Sequence, residues 1–407
     1  MLCLCRRRTI AKTLHSNVLE PERAYLVAVE ARHRSQHTSH WDTEASLEEL
    51  GELVRTAGAL VAGQAIQRLE SPSPATYIGK GKVAEIKRER ESSGYTMVVF
   101  DEELSPSQQR NLERELDVKV LDRTALILDI FAMRARTREG RLQVALAQAE
   151  YLLPRLAGQW SHLDTLGRSG APGAVGVRGP GETQIETDRR LARNKITRLK
   201  REIDEVRKQR RLYRSRRQQA AVPIVALVGY TNAGKSTLMR RLTAADVKVE
   251  DQLFATLDPT TRKLRLPSGR PALLTDTVGF IQKLPAQLVA AFQATLEELA
   301  DAGVLLHVVD ITHPDAAQQS QTVDDTLQEL GLAGKHRVIA LNKIDRLRGD
   351  GAQITDLQEL AAAEDAGPVV VGQEAVLISA KKGWGLENLL LRVEEAFPVT
   401  STQAPSR

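Results

Sequence analysis

The sequence predicts an α/β protein in three parts: a small N-terminal α/β domain, an antiparallel helical hairpin, and a larger α/β domain with a mostly parallel sheet. Three observations carry this reading. Short apolar strands alternate with helical patterns over roughly residues 20–135. Two apolar seams at 4-3-4-3 spacing follow, with a glycine-rich stretch between them. Beyond them a five-residue apolar strand runs directly into a glycine-rich loop and a helix start.

The chain has 407 residues, room for two or three domains that each bury a core. Hydrophobic residues make up 42% and the net charge is +5, so any nucleic-acid role must rest on where the charges cluster. No apolar run approaches the ~20 residues of a membrane span, and no membrane partner is expected. The two cysteines, Cys3 and Cys5, cannot frame a disulfide scaffold, which points to a reducing compartment. The start "MLCLCRRRTIAK" is basic, with Glu20 the first acidic residue. A frayed terminus over residues 1–22 of a cytoplasmic protein is the favoured reading; an organellar transit peptide is the alternative.

The N-terminal α/β domain is placed at 23–140. Residues 25–29, "YLVAV", and 96–100, "TMVVF", read as strands. "SPSQQRNLERELDVKVLD" reads as a helix capped by Ser105 or Ser107, followed by a strand. "YIGKGKVAEI" (77–86) is a glycine turn entering a helix. It lacks phosphate-loop spacing, so a solvated turn is favoured over a phosphate contact by Lys80 and Lys82.

The hairpin is placed at 141–220. Leu142, Leu146, Ala149, Leu153 and Leu156 form the first seam, and Ala192, Ile196, Leu199, Ile203 and Val206 the second. Between them lies the tip loop 167–182, within "RSGAPGAVGVRGPGETQIETDRR". Connections this long tend to be functional or disordered. Thr183 and Glu186 are spaced as a capping box opening the second helix, 183–219. From Thr187 to Ala220 fourteen basic residues face four acidic ones. That excess of ten favours polyanion contact over a solvated face, because neutralised phosphates release counterions. Arg193, Arg198, Arg201 and Lys208 are the candidate contacts on this helix. Few aromatics interleave, so base stacking is not the main mode.

The third domain is placed at 222–398, before a flexible tail at 399–407. "PIVALVGYTNAGKSTL" holds G-x-x-x-x-G-K-S: Gly229, Tyr230, Thr231, Asn232, Ala233, Gly234, Lys235 and Ser236, followed by Thr237. The glycines let backbone N–H groups turn inward around phosphates, and the helix N-terminus adds its dipole. Lys235 is assigned to the β- and γ-phosphates and Ser236 to Mg²⁺. "VIALNKID" places Asn342, Lys343 and Asp345 at a strand end. One carboxylate accepts both the N1–H and the N2 amine of guanine, a pair adenine does not offer. "ISAKKG" adds Ser379, Ala380 and Lys381, with the Ala380 N–H expected at the guanine O6. In this order the motifs point to GTP and GDP.

In "LLTDTVGF", Asp276 ends a strand and is assigned to the magnesium through water; Thr277, Val278 and Gly279 follow, with the Gly279 N–H at the γ-phosphate. "FATLDPTTRK" is the loop expected over the nucleotide: Phe254, Ala255, Thr256, Leu257 and Asp258. Thr256 is chosen as the second hydroxyl on Mg²⁺, with Thr260 and Thr261 as alternatives. Lys235, Thr256 and Gly279 are the catalytic candidates. Such loops are ordered by the γ-phosphate and released after hydrolysis. The residue after Gly279 is Phe280, which offers no hydrogen bond to an attacking water, so slow intrinsic hydrolysis is expected.

"GYTNAGKST", "LFATLDPTTR", "DTVGFIQKLP" and above all "RGPGETQIETDRR" resemble the HflX-type GTPases over almost the whole chain, from about Arg23 to about Phe397. That resemblance implies an N-terminal α/β domain, a helical hairpin and a P-loop GTPase domain. It implies binding to the large ribosomal subunit and GTP-linked dissociation of stalled ribosomes, with the hairpin tip near rRNA of the peptidyl-transferase region. Arg168 and Arg178 in the tip would then pair with phosphates or stack on bases. The leading expectation is a GTPase, monomeric when free, with a slow, ribosome-stimulated rate. The rival is a nucleotide-gated rRNA-binding or subunit-assembly module in which hydrolysis only resets binding. An RNA-dependent ATPase in the N-terminal domain has only the "GKGK" turn behind it.

Overall fold

The computed structural model describes residues 21–31, 42–156, 180–219, 222–243, 253–284, 298–347 and 375–397. The N-terminal part runs β1 (Arg23–Ala31), α1 (Thr43–Thr56), β2 (Leu60–Leu69), α2 (Lys80–Ser93), β3 (Met97–Phe100), α3 (Pro106–Leu116), β4 (Lys119–Asp122) and α4 (Arg123–Arg134). Its four strands form a parallel sheet in the order β2-β1-β3-β4. Parallel strands are covered on both faces, so they read as continuous apolar runs. Accordingly Ala24 to Val29 and Met97 to Phe100 are all buried. Leu26, Ala28, Met97 and Val99 pack with α1 and α4, while Val27, Val29, Val98 and Phe100 pack with α2 and α3.

Ser105, not Ser107, is the α3 cap: its hydroxyl accepts from the Gln108 N–H, and the Gln108 side chain returns the bond. Strand β2 is absent from the sequence reading. It lies at the sheet edge, and only Ala65 is fully buried along it; its apolar run, Ala59 to Ala62, is short and cut by Gly63.

The hairpin pairs α5 (Arg138–Leu152) with α6 (Pro180–Gln219). It is antiparallel: Glu150 pairs with Lys200 at 2.9 Å and Glu139 with Arg210 at 3.3 Å. Leu199 and Ile203 are buried on α6, flanked by half-buried Ala192, Ile196 and Val206. Two expectations are corrected. Helix α6 begins at Pro180, so Thr183 lies inside its first turn and cannot cap it. A proline suits that position because its missing N–H would have no helical partner. Helix α5 ends at Leu152, before Leu156 of the predicted seam. Its buried residues are Gly140, Gln143, Val144, Ala147, Ala149 and Tyr151, so of the predicted seam only Ala149 is fully buried; Val144, Ala147 and Tyr151 pack on the N-terminal core.

The third part runs β5 (Ile224–Val228), α7 (Lys235–Thr243), β6 (Thr260–Arg265), β7 (Pro271–Asp276), β8 (Val304–Asp310), α8 (Ala316–Glu329), β9 (His336–Asn342), β10 (Ala375–Leu377) and α9 (Leu386–Glu395). The six strands are ordered β10-β9-β8-β5-β7-β6, parallel except for β6.

Candidate functional site

Ligand sites of such sheets lie outside the carboxyl ends of the strands, and here the motif residues gather there. Past β5, Gly229 has φ +146° and Gly234 φ +100°, values that a side chain strains to reach. A Cβ on Gly229 would also run into the Val308 carbonyl oxygen, and one on Gly234 into the Asn342 amide. The buried Lys235 Nζ donates to the carbonyls of Gly229 at 3.0 Å and Tyr230 at 2.7 Å. Burial pushes its pKa down to about 8, against the pull of Asp276.

Next to it, three oxygens converge. Asp276 Oδ2 accepts from Ser236 Oγ at 2.8 Å and Thr256 Oγ1 at 2.9 Å, and the two hydroxyls lie 2.9 Å apart. Asp276 is 1% exposed, and its Oδ1 has no partner among the described residues. Burial raises its pKa, while Lys235, Ser236 and Thr256 pull the other way. Hydroxyl and carboxylate oxygens around an unpartnered buried acceptor are a donor set that suits a hard divalent cation. Thr260 and Thr261 lie instead on β6, where Thr261 Oγ1 meets Thr275 Oγ1 at 3.1 Å.

Asn342, buried at the end of β9, ties the other loops together. Its Nδ2 donates to the Ala233 carbonyl at 2.8 Å, and its Oδ1 accepts the Ala380 N–H at 2.9 Å. The Ala380 N–H is therefore engaged within the protein, not offered to a base as expected. Ser379 Oγ donates to Asp345 Oδ1 at 2.6 Å and accepts from the Lys382 N–H at 3.0 Å, which orients the carboxylate. Lys343 pairs with Asp310 at 2.6 Å.

A cavity of about 290 Å³ joins the two halves. Thr231, Asn232, Gly234, Lys235, Ser236, Thr237, Phe254, Ala255, Thr256, Thr277, Gly279, Asn342, Lys343, Asp345, Ala380 and Lys381 line it. Arg240 and Arg346 line it too. Sequence reasoning missed both; their only signal was proximity to a motif. Gly279 packs against the phosphate loop, where a Cβ would sit 2.8 Å from Thr231 Cα and 2.9 Å from Lys235 Nζ. The Thr231 N–H donates to the Phe280 carbonyl at 2.8 Å, and the Phe280 N–H to the Gly229 carbonyl at 3.1 Å.

Four candidate side chains face elsewhere. Tyr230 donates its hydroxyl proton to Glu49 and accepts the Gln282 N–H at 2.9 Å. Leu257 and Val278 are buried in a core shared with the N-terminal part, together with Phe280. The Asp258 carboxylate accepts the backbone N–H groups of Arg136 and Thr137. Nothing in the sequence marked the partners of this interface. Lys283, at φ +51°, binds Asp101 and lies 2.9 Å from Glu102; Gln282 Nε2 donates to Ser46 Oγ at 3.1 Å. Buried Arg123 joins Asp101 at 2.8 Å and also pairs with Glu49. Against the upward effect of burial, Arg123 and Lys283 bring the Asp101 pKa below its ordinary value.

On α6, Arg193, Arg198, Arg201 and Lys208 are exposed. Arg198 pairs with Glu202 at 2.8 Å and Arg193 lies 3.9 Å from Glu186. Arg168 and Arg178 lie outside the described residues. Among the described residues no helix is long and apolar enough to cross a membrane.

A G-x-x-x-x-G-K-S loop past β5 and the Asn342–Asp345 motif past β9, on one sheet parallel except for β6, define the class of P-loop GTPases. Comparison with known proteins narrows that class. Residues 44–132 match the family model described as GTP-binding GTPase N-terminal, 134–217 the GTP-binding GTPase Middle Region, and 224–343 the 50S ribosome-binding GTPase. The GTPase HflX of Lacrimispora saccharolytica is 48% identical over 376 residues, 92% of this chain and 82% of that one. The GTPase HflX of Escherichia coli K12 is 47% identical over 301 residues, 74% of this chain and 70% of that one. The chain also resembles the crystal structure of a GTP-binding protein from Sulfolobus solfataricus in complex with GDP: 26% identity, 92% of this chain and 98% of that one, TM-score 0.44. The chain belongs to the HflX GTPase family, and it binds and hydrolyses GTP.

Proposed function

We propose that the protein binds GTP with Mg²⁺ in this cavity, hydrolyses it slowly when alone, and uses the cycle on the large ribosomal subunit to dissociate stalled ribosomes. The observation that carries the nucleotide part is the contact of Ser236, Thr256 and Asp276, which brings together the phosphate loop, the loop at 253–258 and the end of β7. Ser236 and Thr256 would hold the magnesium directly and Asp276 through water; the bound ion would neutralise phosphate charge. Lys235 binds the β- and γ-phosphates, and the Gly279 N–H binds the γ-phosphate. Asp345 accepts the N1–H and N2 amine of guanine.

Phe280 is buried, and its side chain has no group to orient water. Slow hydrolysis follows, and a ribosomal partner would have to supply the missing order. The ribosome part is supported by the basic face of α6 and by the matched model's description. Arg210 of α6 reaches both Glu139 of α5 and Glu298, at 3.3 and 3.5 Å, which ties the basic helix to the GTPase domain. Arg193, Arg198, Arg201 and Lys208 would meet rRNA phosphates.

The test is sedimentation with purified large subunits in GDP, GTP and a non-hydrolysable analogue, beside a single-round splitting assay. Cosedimentation with the analogue but not with GDP is expected; equal sedimentation in all states overturns the proposal. The buried Phe280 also favours a second reading, in which hydrolysis only resets a nucleotide-gated rRNA binder. Equal splitting yield with GTP and with the analogue would select it.

A further inference from the structure

The loop that carries Thr256 is anchored on the hairpin. Leu253, Phe254 and Leu257 are buried in the core that also holds Phe131 of α4 and Val144 of α5. The Phe254 ring meets Phe131 edge-on, centroids 4.7 Å apart. Between these anchors Ala255 and Thr256 line the nucleotide cavity. One residue past Leu257, the Asp258 carboxylate spans the start of α5. Its Oδ2 accepts the Arg136 N–H at 2.7 Å and the Thr137 N–H at 2.8 Å, and its Oδ1 accepts the Thr137 hydroxyl. That hydroxyl in turn caps the helix by accepting the Gly140 N–H at 2.9 Å. Amides at a helix start lack helical partners, and an anion there also gains from the macrodipole. Gly140 leaves the room: a Cβ would overlap Asp258 Oδ1.

We infer that Asp258 is a positioning residue for GTP hydrolysis: held by the start of α5, it keeps Thr256 Oγ1 against Ser236 and Asp276, so the hairpin's placement sets how well magnesium binds with the nucleotide. Only Leu257 stands between Asp258 and Thr256 in the chain, so the Asp258 anchor acts two residues from the hydroxyl. Linkage makes the effect reciprocal: a ligand that holds Thr256 tightens the start of α5. The inference rests on the reading of Ser236 and Thr256 as metal ligands.

The test uses the full chain with Gly140→Ala, which displaces the carboxylate without removing it, with Asp258→Asn, and with the conservative Thr137→Ser. Three quantities are read: the Mg²⁺ concentration for half-maximal binding of a fluorescent non-hydrolysable GTP analogue, the Mg²⁺-free GDP affinity, and hydrogen exchange of the first α5 amides with and without the analogue. Loss of one charge-assisted bond's worth of anchoring should raise the Mg²⁺ requirement about tenfold in the first two variants. Their Mg²⁺-free GDP affinity should stay at the wild-type value, and Thr137→Ser should behave as wild type. The analogue should slow α5 exchange in the wild type and not in Gly140→Ala. An unchanged Mg²⁺ requirement in Asp258→Asn overturns the inference, whether or not Gly140→Ala folds. So does a lowered melting temperature without any nucleotide-dependent change, which is all that a structural cap would give. Thr256→Ala separates the two readings: if it leaves the Mg²⁺ requirement unchanged, the metal-ligand assignment fails first.

Discussion

Asp345→Asn should remove most of the selection for guanine. The wild-type carboxylate has one oxygen held by Ser379 Oγ at 2.6 Å, so its orientation is set before any base arrives. Guanine would bring two donors, and each charge-assisted bond contributes about 1.5–3 kcal/mol. An asparagine has two ways to sit. With its oxygen toward the Ser379 hydroxyl, its NH₂ faces the two guanine donors and both bonds are lost. With the NH₂ toward Ser379, which can accept as well as donate, the oxygen regains one uncharged bond. The second arrangement sets the smaller loss, about 3 kcal/mol or ~100-fold in GDP affinity. Xanthine keeps the N1–H but carries a carbonyl where guanine carries the amine; the asparagine NH₂ can donate to that carbonyl, which the carboxylate repels, so affinity for xanthosine diphosphate should rise relative to GDP. Fluorescence titrations with GDP and xanthosine diphosphate read both effects. A variant whose GDP affinity stays within about threefold of wild type, well short of that loss, would refute the assignment of Asp345 to the base.

Three further outcomes are expected. Arg123→Ala should destabilise the chain by about 3–5 kcal/mol in denaturant unfolding, because it leaves Glu49 and the buried Asp101 without their shared cation. His307, buried on β8, has its pKa lowered to about 3 by burial, with Arg337 and Lys235 adding to it. The folded pKa is below the unfolded one, so stability is complete above about pH 6.5 and falls by about 1.4 kcal/mol per unit as pH drops toward 3; His307→Gln should remove that part of the slope in unfolding measured across pH. Replacing Arg193, Arg198, Arg201 and Lys208 by Gln should leave GTP affinity unchanged and lower the log–log salt slope of ribosome binding by roughly 0.7–0.9 for each phosphate left without its cation. A full slope in that variant would make the helix a solvated face.

The motif residues gathered at the carboxyl ends of the strands were the legible ones. Gly229, Gly234, Lys235 and Ser236 do their work within a few residues of one another, and so do Asn342 and Asp345; local order in the chain therefore carries their chemistry. The Ser105 cap was legible for the same reason, its partner being three residues away. Strand β2 was not, because an edge strand with one fully buried residue carries only a short apolar run, Ala59 to Ala62, before Gly63 and polar Gln64. The start of α6 was misplaced by three residues, since Thr183 and Glu186 have capping spacing while the backbone had already turned helical at Pro180.

By itself, then, the chain determined the class of nucleotide, the strand–loop–helix that cradles it, the helical hairpin and the basic face of α6. The tertiary structure alone decided which way Tyr230, Leu257, Asp258 and Val278 point, where the Ala380 N–H goes, and what holds Gln282 and Lys283. Asp258 meets Thr137 across 121 residues, Tyr230 meets Glu49 across 181, and Lys283 meets Asp101 across 182. A carboxylate, a phenol or an ammonium has the same valence for hydrogen bonds whichever partner satisfies it. The choice is made by which surfaces the two apolar cores bring together, and that is a property of packing in three dimensions, not of neighbouring letters.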